Sequence, residues 1–234
     1  MNNFPKRINK YLADENHATR TGADELIKKG LVTINGRKAV LGDKVNEGDS
    51  VIVSTKAPKK AYVYYAYNKA PGVSTNPEPG VKDILKVTRF PVLVFPVGRL
   101  DKDSHGLIIM TNDGRVTNRL LSPLYVHEKE YVVKTEKEFT DRFIESMGNG
   151  VTFDEFKSKP CRVWRKTKNT FHIILTEGKK RQIRRMCEAL YHKVIDLKRI
   201  RVMNITLDKI PLGGYREITG KELETFLESL KLTK

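Results

Sequence analysis

Three side chains of this sequence stand where chemistry could be done: Arg99, Asp101 and Asp103, set in the stretch Phe95 to Gly114, FPVGRLDKDSHGLIIMTNDG. Two carboxylates at i and i+2 suggest a divalent-cation site, but no third carboxylate or amide stands at a helpful spacing. They also suggest the acid and base of glycoside hydrolysis. That would need one raised pKa and two groups facing each other, and neighbours across a tight loop need not do so. Asp101 is the candidate catalytic residue; the plainer alternative is an aspartate that satisfies the amides of its own turn. The 5 histidines show no ligand spacing, and Cys161 and Cys187 are too few for a disulfide framework or a four-cysteine site. Gly178-Lys179-Lys180 lacks the glycine-rich lead of a phosphate-binding loop. No metal is expected.

Holding Asp101 in place requires rigid flanks, and the sequence supplies two apolar runs, one closing at Val97 and the other spanning Leu107 to Met110. They predict two strands around a loop bracketed by Gly98 and Gly106 and ended by Asn112-Asp113-Gly114, which places the loop's polar groups at a sheet end. A second element with chemistry on it is a helix predicted over Lys180 to Leu190. Ile183, Met186, Cys187 and Leu190 form its buried stripe, and Lys180, Arg181, Arg184 and Arg185 run along its first turns. Cations at a helix N-terminus oppose the macrodipole at about 0.3–1 kcal/mol each, so an anion nearby should offset them.

The whole chain is basic, with Lys+Arg 44 against Asp+Glu 28 and a net charge of +16 over 234 residues. The excess is local: residues 157–201 carry 15 basic and 3 acidic side chains, and a smaller surplus lies at the N-terminus. Two basic regions around a neutral centre suit a polyphosphate such as nucleic acid. No apolar run approaches the roughly 20 residues of a membrane span, no basic amphipathic helix dominates, and MNNFPKRINK has no apolar signal core. With so few cysteines, a reducing cytoplasm is expected.

Along the chain, residues 5–15 predict a helix, and Thr19 or Thr21 caps a second that stops at Gly30. Leu31–Ile34 predicts a strand turned by Asn35-Gly36, and Val51–Val53 another. Residues 58–61 read as a linker. Beyond it, Tyr62, Tyr64, Tyr65 and Tyr67 crowd a strand whose aromatics belong to the core more readily than to base stacking. Arg115–Leu121 reads as a short helix, Glu130–Lys134 as a strand, and a helix capped by Thr140 is expected to stop at Gly148. Residues 160–164 and 170–176 read as strands, as do the segments around Val194 and Ile200–Leu207. The last helix shows a Thr219/Glu222 capping box.

TRTGADELIKKGLVTINGRKAVLGDKVNEGDSV resembles the alpha-L RNA-binding domain, whose second helix and hairpin touch RNA phosphates. The resemblance implies contacts from Arg20, Lys28, Lys29, Arg37 and Lys38. VGRLDKDSHGL, KEYVV at 129–133 and LTEGKKRQIRRMC at 175–187 resemble, in order, three motifs of the RNA pseudouridine synthases that carry such a domain in front. That resemblance implies an α+β chain: an RNA-binding domain over 1–57, a linker over 58–61, and a catalytic domain over 62–234 around a mixed, largely antiparallel sheet flanked by helices.

It also implies isomerisation of uridine, most naturally in large-subunit (23S) ribosomal RNA, free or in an assembling subunit, by a monomer without a cofactor. Small-subunit or transfer RNA, or a non-catalytic ribosome-assembly role, are the alternatives. Asp101 would act ionised, as nucleophile or charge stabiliser at the ribose and as proton acceptor, with Arg184 as its counter-ion and Asp103 structural. Tyr131 would stack on the flipped uracil and Arg99 would help hold the nucleotide out of the stack. Leu107 and Leu175 would wall the pocket, and Lys180, Arg181 and Arg185 would meet RNA.

Overall fold

The structure is a computed structural model that describes residues 4–15, 17–54, 61–122 and 125–232. The first unit runs β1 (Lys6–Arg7), α1 (Ile8–Asp14), α2 (Arg20–Lys28), β2 (Val32–Ile34), β3 (Arg37–Lys38), β4 (Lys44–Val45) and β5 (Val51–Val53). The expected first helix begins only at Ile8, because Lys6 and Arg7 pair with Val45 and Lys44 instead. Thr19 caps α2, its Oγ1 accepting from Gly22 N at 3.1 Å. Ile8, Leu12, Ala23, Ile27, Val32 and Val45 form a small core of their own. Of the expected linker only residue 61 lies among the described residues.

The second unit runs β6 (Tyr64–Lys69), α3 (Ile84–Val87), β7 (Phe95–Val97), β8 (His105–Thr111), α4 (Gly114–Leu121), β9 (Lys129–Thr135) and α5 (Asp141–Asn149). It continues with β10 (Thr152–Phe153), β11 (Phe156–Lys157), β12 (Arg162–Thr167), β13 (Thr170–Leu175), α6 (Gln182–Ala189) and β14 (Val194–Val202), and closes with β15 (Ile205–Thr206), β16 (Tyr215–Glu217) and α7 (Gly220–Ser229). Seven of these strands form one sheet in the order β12-β13-β9-β14-β8-β6-β16, with β7 on β8 and β15 on β14. Every pairing is antiparallel except β14 with β8. The α+β architecture with a mixed, largely antiparallel sheet is as expected.

The parallel junction is narrow: only Lys198↔His105 and Arg199↔Gly106 are in register. Gly106 is required there. A Cβ on it would come within 2.2 Å of the Arg199 carbonyl oxygen, and its φ is +103°. To one side of the junction, Val133, Phe143, Phe171, Met186 and Leu197 belong to one core. To the other, Tyr64, Leu107, Ile109, Val116 and Phe226 belong to a second. Tyr64, Tyr65 and Tyr67 are buried, so the aromatic strand is core and offers no base-stacking platform.

Four local expectations are corrected. Helix α5 runs through Gly148 and ends at Gly150 (φ +92°), where a Cβ would meet Ser158 O at 2.4 Å. Helix α6 begins at Gln182, leaving Lys180 and Arg181 ahead of it, because Arg181 adopts a left-handed φ of 54°. Val194 to Val202 is one strand rather than two. Thr219 makes no side-chain cap, and Glu222 instead accepts from both guanidinium nitrogens of Arg216 at 2.6 and 2.7 Å. The β10–β11 hairpin carried no recognisable turn dipeptide.

Candidate active site

The segment between β7 and β8 is fastened at each step through its backbone. Thr75 Oγ1 accepts from Leu100 N at 3.1 Å and donates to Leu100 O at 2.7 Å. Arg199, almost wholly buried, donates Nε to Leu107 O at 2.7 Å and Nη1 to Arg99 O at 3.4 Å. Ser104 N closes a turn onto Asp101 O at 3.0 Å. Under the turn, the fully buried Lys69 donates Nζ to Val73 O, Ala70 O and Lys102 O at 2.7, 3.0 and 3.4 Å. Burial pushes that amine down to about 8, against the pull of the Asp103 and Asp101 charges.

These bonds hold the backbone and leave one side chain over. Among the described residues the Asp101 carboxylate makes no hydrogen bond or ion pair, and it faces a cavity of about 930 Å³. Arg99, Tyr131, Leu175, Lys180 and Arg181 line the same space, so the structure gathers five of the expected site residues around Asp101. Tyr131 sits on β9 between Ile173 and Arg199 and touches both the core beside it and the cluster under β8.

Leu107 is corrected. It is fully buried against Val97, Val116 and Phe226 and lies behind the loop; the leucines on the cavity are Leu100, Leu120, Leu121, Leu175 and Leu197.

Arg184 is corrected as well: it is the counter-ion of Asp103, not of Asp101. Its Nη2 lies 3.3 Å from Asp103 Oδ2, with Nη1 on Val194 O at 3.0 Å. Arg181 grips the same carboxylate with two bonds of 3.1 and 3.0 Å. Partial burial would raise the Asp103 carboxyl, but the Arg181 bonds and the charges of Arg184 and Arg181 outweigh it, and the group is held below its ordinary range. The anion that the basic helix start required is therefore Asp103. Arg185 pairs with Asp154 and lies over the Phe153 ring, away from the cavity.

Two residues went unassigned in the sequence. Lys129 and Arg199 both line the cavity, yet a lysine opening a strand and an arginine in a basic segment carry no pattern that separates them from solvated charge. Opposite them, Glu177 is held by Gln182 Nε2 at 2.7 Å and Lys159 N at 3.1 Å.

In the first unit, Arg20, Lys28, Lys29, Arg37 and Lys38 are all exposed; Lys28 pairs with Glu25 at 3.5 Å and Arg37 with Asp43 at 2.9 Å. The two units meet where Tyr62 donates to Asp14 O at 2.6 Å beside α4. No helix among the described residues is long and apolar enough to cross a membrane.

A small basic domain joined to a sheet whose open carboxylate loop overlooks a large cavity is the layout of an RNA-modifying enzyme. Comparison with known proteins makes the class specific. A family model described as RNA pseudouridylate synthase matches residues 63–189, and an S4 domain model matches residues 6–51, the segment read as an alpha-L domain. The chain belongs to the RNA pseudouridylate synthase family.

It is 42% identical over 222 residues to the dual-specificity RNA pseudouridine synthase RluF of Salmonella typhi, covering 93% of this chain and 77% of that protein. It is 35% identical over 230 residues to ribosomal large subunit pseudouridine synthase B of Bacillus subtilis, covering 94% of each. A crystal structure of a pseudouridylate synthase superposes with a TM-score of 0.70 at 26% identity, over 94% of this chain and 99% of that one.

Proposed function

We propose that this enzyme converts uridine to pseudouridine in large-subunit (23S) ribosomal RNA, with Asp101 as the reacting carboxylate and with no cofactor. The observation that carries this reading is the free Asp101 carboxylate, presented to the cavity by a loop whose backbone is bonded throughout. The large-subunit assignment is supported by the name of the Bacillus subtilis relative.

The reaction breaks the N1–C1′ bond, turns the uracil in place and joins C5 to C1′. Ionised Asp101 serves the ribose carbon as electron-rich partner. Tyr131 stacks on the extruded base, and Arg99, exposed at the cavity mouth, fills the space the nucleotide leaves in the RNA. Leu100 and Leu175 keep the detached uracil from escaping. Arg181 and Arg184 act on the loop through Asp103 rather than on Asp101 itself. Lys180 at the cavity and the exposed cations of residues 1–57 hold phosphates, while residues 62–234 do the chemistry. The enzyme works as a monomer in the cytoplasm, on free RNA or an assembling subunit.

Mapping pseudouridines in ribosomal and transfer RNA with and without the gene tests the reading: one or more large-subunit sites should lose the modification. A second reading, the same chemistry on a further RNA, is favoured by the words "dual-specificity" in the name of the 42% identical relative, and the same map scores it.

A further inference from the structure

Lys129 lines the reaction cavity and has no part in the chemistry given so far. Side chains alternate along a strand, so Lys129 and Tyr131 share a face about 7 Å apart, and both line the space that holds Asp101. An ammonium has three donors, yet Nζ makes one hydrogen bond, to His127 O at 3.1 Å. Among the described residues no carboxylate pairs with it.

The charge acting most directly on it is Arg199 on the adjoining strand; the other charged groups lining the same cavity are Asp101, Arg99, Glu177, Lys159, Lys179, Lys180 and Arg181, with His127 on its own segment. Burial first, and the positive charge of Arg199 second, push its amine down to about 8. Both protonation states are therefore present near neutral pH, the condition for moving a proton. His127 is no rival: it sits behind the wall and burial drives it below its ordinary range.

We propose that Lys129 is the proton-transfer residue of the isomerisation, taking the proton from C5 of the uracil once that carbon has bonded to the ribose. The proposal rests on the pseudouridine synthase chemistry assigned to this cavity. When the N1–C1′ bond breaks, its electron pair stays on N1. The C5–C6 π pair then forms the C5–C1′ bond, leaving C5 tetrahedral with its hydrogen still attached and a double bond between N1 and C6. The neutral amine of Lys129 takes that hydrogen as a proton. The freed C–H pair restores the C5–C6 double bond, and the N1–C6 π pair moves to N1. The ammonium returns a proton to N1, directly or through water, so atoms and charge balance and no oxidant or reductant is needed. Asp101 is left to serve the ribose alone.

The test uses the full-length enzyme, unmodified ribosomal RNA transcripts made with either uridine or 5-deuterouridine, and single-turnover conversion measured across pH 6 to 9. Wild type should reach a plateau near pH 8 with little isotope effect there, and below it the rate should fall and the isotope effect grow together, as scarcity of the neutral amine makes proton transfer from C5 limiting. Lys129→Met should slow conversion by about 10²-fold or more, expose a primary isotope effect at C5, and abolish the rise with pH, with RNA affinity within a few-fold of wild type.

Lys129→Arg keeps the charge but cannot release its proton, so it should show the same isotope effect, and it carries the test alone if the methionine variant does not fold. Restoration of rate by arginine, or slowing without an isotope effect, would overturn the proposal and make Lys129 a phosphate anchor. A wild-type enzyme that converts no uridine in any ribosomal RNA would instead overturn the assigned function, a result distinct from either.

Discussion

The two ends of one loop make opposite use of the same side chain. Asp103 is gripped by Arg181 and Arg184 from the start of α6, and its charge is consumed in holding the loop to the helix. Asp101, two residues earlier, is fixed only through its backbone, and its carboxylate is free among the described residues. A paired carboxylate contributes to architecture; an unpaired one beside a cavity is available to a substrate. The buried lysines repeat the lesson. Lys69 gives its amine to three carbonyls, whereas Lys129 gives its own to one.

The sharpest way to break the contrast is to neutralise each carboxylate in turn. Asp101→Asn should cut single-turnover conversion by roughly 10³-fold or more, while filter binding finds RNA affinity within a few-fold, since phosphate contacts dominate it. An equal loss from Asp103→Asn would erase the distinction.

Lys69→Met should act on the fold instead. It removes the amine that three loop carbonyls share, for about 3 kcal/mol of stability, and should lower Tm by roughly 6–12 °C in a thermal melt.

Arg184→Ala and Asp103→Asn should each slow conversion by about 10-fold, and the double variant should lose less than the product of the two, because they share the Arg184–Asp103 pair. Asp103 also sets a pH signature. Its folded pKa lies below the unfolded value of about 3.9, so its contribution to stability is complete above that pH and is lost as pH falls through the folded pKa. Below about pH 4 the melting curves of wild type and Asp103→Asn should therefore converge.

The smallest effect belongs to the N-terminal domain. Lys28→Ala or Arg37→Ala should weaken RNA binding modestly and reduce its salt slope by about 1, with turnover at saturating RNA unchanged.

The frame of the site was legible in the sequence because strands around Asp101 follow from local pattern: apolar runs ending at Val97 and beginning at Leu107, with glycines between. The partner of Arg184 was not legible, since which aspartate it meets depends on how the loop turns over α6, a matter of tertiary geometry. The start of α6 was misplaced for a similar reason. Gln182 Oε1 accepts from Lys179 N at 2.9 Å and Arg181 turns left-handed, neither of which a periodicity encodes. Lys129 and Arg199 were invisible as site residues because only burial separates them from surface charge.

The two-residue junction of β14 with β8 has a consequence for how this enzyme tolerates change. The two cores it joins share almost no side chains, so substitutions buried in one should be energetically independent of those in the other, and their costs should sum. Variation can therefore accumulate separately in the half that carries Tyr131 and the half that carries Asp101. Gly106 and Arg199 at the junction, Tyr131, which packs against clusters on both sides, and the pairs of Arg181 and Arg184 with Asp103 are the positions where that independence ends.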